Sequence, residues 1–353
     1  TGTEAAARAA RYDALARLCE THRLDTLWLA HHQDDQAETV LLNLLRGSGA
    51  AGLAAMPAQA LLPGTAITCQ RPLLGIPRTA LVAYLRQAGF NWIDDPSNAD
   101  LRYTRNAIRH QVLPVLRAHD PGATARLARS AQLLGQTQQL LAELAALDLE
   151  RCAARADALD AVALQALGPA RAANALREWL GRAGLRMPSQ ARLDAWLAQL
   201  DAPADRMPAW HHDGVVVRRW RGWLYQVYPV AELVAERTLD WNGHDRWALN
   251  GIGTIRFEPA AAGPDTVAEA WLRAAPLIAK PRSGGERWSA GPGRPARALK
   301  LACQDAGVPP WQRSAPVLWQ RETLLWVPAL GLDGRLPPPA EGPARRLVWE
   351  PAR

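Results

Sequence analysis

The stretch His31-His32-Gln33-Asp34-Asp35-Gln36-Ala37-Glu38-Thr39 places three carboxylates and two imidazoles within nine residues. With a helix beginning near Asp34, Asp35 and Glu38 lie three apart and share a face, so two carboxylates stand side by side where the chain enters the helix. Paired carboxylates attract a cation, and spacing alone admits an ammonium group, Mg2+ or a protonated base. The same residues also read as an ordinary helix start, with Asp34 and Asp35 favoured by the macrodipole and Glu38 solvated. Adjacent histidines invite zinc or iron. Consecutive residues at a strand end face opposite ways, however, and no third histidine lies nearby, so no protein-bound metal is expected. His211-His212-Asp213-Gly214 reads as a turn. Further along, Arg105 and Arg109 are one helical turn apart and form with Arg102 a basic stripe suited to phosphates, or else a solvated face.

The elements that must hold these groups follow an α/β grammar. Glu4 to about Thr21 has Tyr12, Leu15, Leu18 and Cys19 at helical spacing and a high alanine content. Thr26-Leu27-Trp28-Leu29-Ala30 reads as a buried strand. A helix from about Asp34 to Leu45 buries Val40, Leu41, Leu44 and Leu45 and is broken by Gly47-Ser48-Gly49. The acid cluster therefore falls at a strand's carboxyl end, where open α/β sheets collect ligands. Ala66–Thr68 and Phe90–Ile93 are expected as short extended pieces, and Arg78–Ala88 as a helix closed by Gly89. A turn is expected at Asp94-Asp95-Pro96-Ser97-Asn98. Beyond Pro121 come long helices, one with Leu127, Leu134, Leu141 and Leu144 on a stripe, others near Ala172–Leu180 and Gln190–Leu200. Val215-Val216-Val217 against Leu224-Tyr225-Gln226-Val227, around Arg221-Gly222, reads as a hairpin. Pro259 to Pro264 reads as a linker before a small arginine-rich α+β unit.

At 353 residues several domains are expected. The boundaries read as an α/β, incomplete Rossmann-like domain over 1–118, an all-helical middle domain with a terminal hairpin over 119–232, a linker region over 233–275 and a small α+β domain over 276–353. Lysine plus arginine number 41 against 34 acids, a formal charge of +7 with pI near 9.7, which favours a polyanionic partner. Lys280 and Lys300 are the only lysines, so the positive charge is nearly all guanidinium, suited to bidentate phosphate contacts and equally a mark of genomic composition. Cys19, Cys69, Cys152 and Cys303 lie far apart with no C-x-x-C, which argues against a zinc ribbon or iron–sulfur site and fits a reduced cytoplasm. No apolar run approaches a membrane span, and no signal-peptide pattern opens the chain.

Three stretches together resemble the tRNA(Ile)-lysidine synthetase family of the N-type ATP-pyrophosphatase (PP-loop) superfamily. They are Glu4-Ala5-Ala6-Ala7-Arg8-Ala9-Ala10-Arg11-Tyr12; His31 to Thr39 with Arg46-Gly47-Ser48-Gly49; and Trp92 to Asn98 with Arg105-Asn106-Ala107-Ile108-Arg109. Arg71-Pro72-Leu73-Leu74, Gly284-Gly285-Glu286-Arg287 and Gly307-Val308-Pro309-Pro310-Trp311 extend the likeness over nearly the whole chain. The resemblance implies ATP-driven adenylation at C2 of the wobble cytidine in an isoleucine tRNA with a CAU anticodon, followed by attack of free L-lysine to give lysidine. It implies Mg-ATP as substrate, no resident cofactor, a cytoplasmic location and no membrane partner, and leaves a homodimer open.

Carried over by motif, the resemblance gives Arg11 a phosphate-contacting, catalytic role, with Arg71 also toward ATP. It makes Asp35 and Glu38 catalytic carboxylates that recognise lysine, supported by Asp34 and His31. Arg102, Arg105, Asn106 and Arg109 are expected to touch the tRNA, as are Arg282, Arg287, Arg294, Arg297 and Lys300 in the last domain. Trp311 is a base platform or core. The family's Ser-Gly-Gly-x-Asp-Ser nucleotide loop does not occur in this sequence, and Ser283-Gly284-Gly285-Glu286-Arg287-Trp288 is no substitute, lacking the aspartate and serine. The expectation is a chain that starts inside its first domain, leaves a parallel sheet with an open edge and is inactive alone. A tRNA 2-thiolation enzyme and a non-catalytic RNA-binding remnant are the rival readings.

Overall fold

The computed structural model of the chain describes residues 3–62, 64–93, 95, 99–155, 157–200, 206–337 and 342–352; of residues 3–5 and 8 it describes the backbone. Apart from Asp95, the expected turn at 94–98 lies outside the described residues. Two compact units meet within one long helix, Thr1–Leu147 and Asp148–Arg353.

The first unit opens with α1 (Thr3–Thr21), β1 (Thr26–Trp28) and α2 (Gln33–Leu45). There follow α3 (Ala50–Leu53), β2 (Gln59–Leu61), β3 (Thr68–Gln70), α4 (Arg78–Gln87) and α5 (Thr104–Ala107). A π-helical turn (Ile108–Val112) leads into α6 (Leu113–His119) and α7 (Ala123–Arg151). The sheet order is β1-β3-β2, with β1 parallel to β3 and β2 antiparallel to it. The sheet is thus mixed rather than parallel, because β2 and β3 form a local hairpin pairing. Cys19, Leu62, Ile67 and Cys69 pack with Tyr12, Leu27 and Leu29 between α1 and the sheet. A second cluster, Ala37, Ile108 and Leu113 with Leu41 and Leu116, joins α2 to the π turn and α6. Glycine closes α2 as expected. Gly47, at φ 71°, donates its N–H to Leu44 and Ser48 donates to Asn43, the paired bonds of a left-handed C-cap. Phe90–Ile93 forms no strand.

The second unit begins with β4 (Ala158–Asp160), α8 (Ala161–Ala166), α9 (Pro169–Arg182) and α10 (Gln190–Gln199). Next come β5 (Ala209–His212), β6 (Val215–Trp220) and β7 (Trp223–Val227). The expected hairpin is present, with Trp220 paired to Trp223 across Arg221 and Gly222, both at positive φ (48° and 81°) as a two-residue hairpin turn requires. The all-helical middle is corrected: β4-β7-β6-β5 make a four-stranded antiparallel sheet. Its β4 and β5 are short and gain their partners only in the fold. One face of this sheet, through Val217 and Leu224, packs against Leu176, Trp179, Leu180 and Leu193 of the helices.

The remaining elements are β8 (Arg237–Leu239), β9 (Arg246–Leu249), β10 (Gly253–Ala260), β11 (Val267–Ala268), α11 (Glu269–Arg273) and β12 (Leu277–Lys280). They continue through β13 (Arg287–Trp288), β14 (Arg297–Ala298), α12 (Leu299–Asp305), β15 (Val317–Gln320), β16 (Thr323–Val327), β17 (Gly331–Leu332) and β18 (Ala344–Pro351). The linker expected over 233–275 is therefore a correction. β10 pairs along its whole length with β18, and β8 with β12, so that span is woven into the last domain's sheets. Ile255 and Phe257 of β10 are core residues, and the Gly/Pro run is the turn that leaves the strand.

Candidate functional site

The acid cluster is fixed by the start of α2. His32 is its N-cap: the Asp35 N–H donates to His32 Nδ1 at 3.4 Å, and the His32 N–H donates to Asp35 Oδ2 at 3.0 Å, a reciprocal capping box. Asp34 bridges outward, accepting the Arg78 N–H at 2.9 Å and thereby tying α2 to the first turn of α4. Its other oxygen accepts from Arg117 of α6. Gln36, buried, exchanges two bonds with the Met56 backbone, at 2.8 and 3.0 Å, which sets the loop leading to β2.

Asp35 and Glu38 do share a face, and that face is already cationic. Arg105 Nε donates to Glu38 Oε2 at 2.8 Å and its terminal nitrogen to Asp35 Oδ1 at 3.1 Å. Arg109 grips Glu38 with two bonds, 2.6 and 2.9 Å, and comes within 3.5 Å of Asp35. Glu38 retains only 1% of its surface. Its bond to Arg109 holds that guanidinium's pKa above the ordinary value against the opposing effect of burial, helped by the charges of Glu38, Asp35 and Asp34. Three carboxylates thus face three guanidiniums, and the site is charge-balanced rather than anionic. A buried carboxylate needs such partners, since an unpaired charge there costs several kcal/mol.

The outward stripe expected from Arg102, Arg105 and Arg109 is corrected. Arg105 and Arg109 turn inward onto the acids, and buried Asn106 donates to the Asp100 carbonyl at 3.0 Å. Arg102 alone of the set stays in solvent, its side chain 88% exposed and paired with Asp100. Arg71 is buried at the end of β3 and donates to the Pro57 carbonyl at 2.9 Å, while its Nε has no hydrogen-bond partner among the described residues. Arg11 lies exposed on α1 over the Tyr12 ring, and the structure does not bring it to the acids. His31 stands half-buried just before the N-cap. Sequence reasoning missed Arg117 and the capping role of His32. Arg117 lies eight residues beyond Arg109, and that basic repeat was its only visible signal.

In the second unit the expected phosphate contacts divide. Arg282 points inward to the Arg313 carbonyl at 3.0 Å, Arg287 bonds the Ala296 carbonyl, and Arg297 pairs with Asp305 at 2.6 Å. Arg294 and Lys300 are exposed. The amides of Ser283 and Gly284 already bind a carboxylate, that of Glu286, at 2.7 and 3.1 Å. Burial raises the pKa of Glu286, but these backbone bonds and Arg282 outweigh it and hold the group below its ordinary value. That loop is filled by its own anion. All four cysteines are buried, and burial with Asp148 pushes the Cys152 thiol up to about 11.

Family models match three segments: "PP-loop domain" over residues 1–116, "TilS substrate binding domain" over 159–225 and "TilS substrate C-terminal domain" over 270–349. The chain is similar to tRNA(Ile)-lysidine synthase of Burkholderia pseudomallei, 42% identical over 390 residues, covering 99% of this chain and 78% of that protein. It is also similar to that of Azoarcus sp., 42% identical over 341 residues, covering 94% and 71%. A solved TilS C-terminal domain overlaps 33% of this chain and 98% of its own at 19% identity, with a TM-score of 0.27.

Proposed function

Because the chain belongs to the tRNA(Ile)-lysidine synthase family, we propose that it serves the ligation of free L-lysine to C2 of the wobble cytidine in an isoleucine tRNA with a CAU anticodon, through an ATP-adenylated intermediate. The observation that carries this reading is the balanced cluster of Asp35, Glu38, Arg105 and Arg109 beside the N-terminus of α2. A free amino acid is a zwitterion, and interleaved carboxylates and guanidiniums complement both charges at its α-carbon. Asp35 takes the ammonium, backed by the charge of buried Glu38; Arg105 and Arg109 are fixed by those carboxylates and offer donors to the substrate carboxylate. The attacking amine must be unprotonated, whereas a carboxylate beside it favours the protonated form. The acids therefore hold the amine that does not react.

Asp34 supports this pocket by locking α2 to α4 and α6, and His31 flanks it. Arg11 and Arg71 are assigned to the phosphates of Mg-ATP, where a fixed guanidinium stabilises developing charge. Arg102, Arg294 and Lys300, with Arg287 and Arg297, are assigned to tRNA phosphates. These 353 residues hold no Ser-Gly-Gly-x-Asp-Ser loop; by themselves they bind lysine and tRNA without turning over ATP, and ATP-dependent lysine incorporation by this chain alone would overturn that clause. The reading is tested by equilibrium binding to the isoleucine tRNA and to a tRNA with the same anticodon on a different body. A preference of at least tenfold is expected, about 1.4 kcal/mol; equal binding would refute it. The burial of the cysteines gives a sulfur-transfer reading no support.

A further inference from the structure

The outward face of the middle sheet carries chemistry that the acid cluster does not use. Cross-strand pairing of Arg218 with Tyr225 and of Trp220 with Trp223 puts all four on one face, while Val217 and Leu224 face the core. All four are half-buried rather than covered. Trp311, from the 3₁₀ turn Pro310–Gln312, meets Tyr225 at 5.3 Å and Trp220 at 6.3 Å, with interplanar angles of 61° and 75°. These are edge contacts, so the rings do not cover one another's faces. Each outer ring carries a guanidinium: Arg218 lies 5.7 Å from Trp311, Arg221 4.8 Å from Trp220 and Arg155 5.3 Å from Trp223. Arg218 Nε is shielded from water and has no hydrogen-bond partner among the described residues.

Beside this face opens a cavity of about 550 Å³, whose lining brings together Tyr225, Trp311, Trp326 and Trp349 from four separate segments, with Asp157 the one charged residue of its described lining and Arg218 adjoining it against Trp311. Flat aromatic walls with one guanidinium, that of Arg218, against Trp311 suit a ligand that joins a planar heteroaromatic ring to an anion. An apolar peptide or acyl chain would use the walls and leave the cation unmatched. Unpaired nucleotides have both parts: every base has a π face to stack on an aromatic side chain, and its phosphate pairs with arginine.

Resting on the tRNA-binding reading above, we propose that this cavity takes the base of one unpaired tRNA nucleotide, stacked on Trp311 with its edge toward Tyr225, with Arg218 donating to its phosphate or carbonyl oxygen. The base comes from a single-stranded end or from a loop; the shared requirement is that it be unpaired.

The test measures tRNA affinity of the full chain and of Trp311→Leu and Trp311→Phe across a range of salt. Loss of one stacked base is expected to weaken binding about tenfold in the leucine variant and little in the phenylalanine variant. The slope against salt should stay unchanged, because no ion contact is removed. A leucine variant within twofold of the parent, or a changed slope, overturns the proposal. Should that variant misfold, 2-aminopurine placed singly at each unpaired position of the tRNA gives the answer with the unaltered protein. Quenching at one position is expected, and quenching at none overturns the proposal. Trimming the unpaired 3′ nucleotides assigns the source: a leucine effect that vanishes places the base at the end, and one that persists places it in a loop. Absence of tRNA binding by the parent chain would instead refute the functional reading.

Discussion

Glu38 shows what one residue contributes to this site. It is almost wholly buried, and two guanidiniums from a segment some seventy positions along the chain (separations of 67 and 71) supply all three bonds described to its carboxylate. Removing Arg109 by Arg109→Met leaves Arg105 as the remaining cation. We expect a loss of about 2–3 kcal/mol in urea unfolding, the low end for breaking a buried pair because Arg109 keeps 32% of its side chain in water. A loss below about 0.5 kcal/mol would show that solvent already neutralises Glu38, since that is the range of exposed pairs. Glu286 makes a pH prediction. Its folded pKa lies below the ordinary 4.5, so its stabilising contribution is present in full above that value and is lost as pH falls through the lowered one. Glu286→Gln should therefore flatten the acid limb of the stability curve, and an unchanged limb would exclude the contribution. The carboxylates were legible from their own spacing. Their partners were not, because a local pattern presents Arg105 and Arg109 as a surface stripe and only tertiary packing turns them inward.

At the scale of elements, the five-residue π turn Ile108–Val112 is the feature on which the cluster depends. It inserts one residue between the helix carrying Arg105 and the one carrying Leu113 and Arg117. Both Ile108 and Leu113 remain in the core, each 1% exposed. Such bulges re-aim side chains at functional sites. Deleting the exposed Gln111 should restore α-helical register and rotate Arg105 by about 100° relative to Arg117. Lysine binding should then fall more than tenfold with helical content retained, as read by circular dichroism; unchanged affinity would make the turn incidental. Nothing in the sequence flags this turn, since its residues suit an α-helix equally. The glycine-marked features were legible: Gly47 closing α2, and the Arg221-Gly222 and Asp213-Gly214 hairpin turns, each with both residues at positive φ. β4 and β5 were not, because three or four residues of alternation mean little until a distant partner pairs with them.

Over the whole molecule, the net charge of +7 overstates the surface available to a polyanion. Arg105, Arg109, Arg171, Arg282 and Arg335 are spent on buried or partly buried acids and carbonyls inside the fold. The salt dependence of tRNA binding should accordingly be governed by a few exposed groups. Arg294→Ala and Lys300→Ala are each expected to lower the slope of log affinity against log salt by about 1, and an unaltered slope in both would remove them from the interface. The interleaving of 233–275 with the last sheets was not legible in the sequence, because paired residues of β10 and β18 lie between 84 (Ala260 with Ala344) and 98 (Gly253 with Pro351) positions apart and neither strand announces the other. Asp35 and Glu38, braced by Arg105 and Arg109, are the proposed seat for lysine. Equilibrium dialysis of radiolabelled L-lysine against the full chain and its Asp35→Asn variant tests it most directly. Saturable binding weakened at least tenfold by the substitution, with tRNA affinity unchanged, is the result predicted; equal lysine affinity in the two proteins would contradict it.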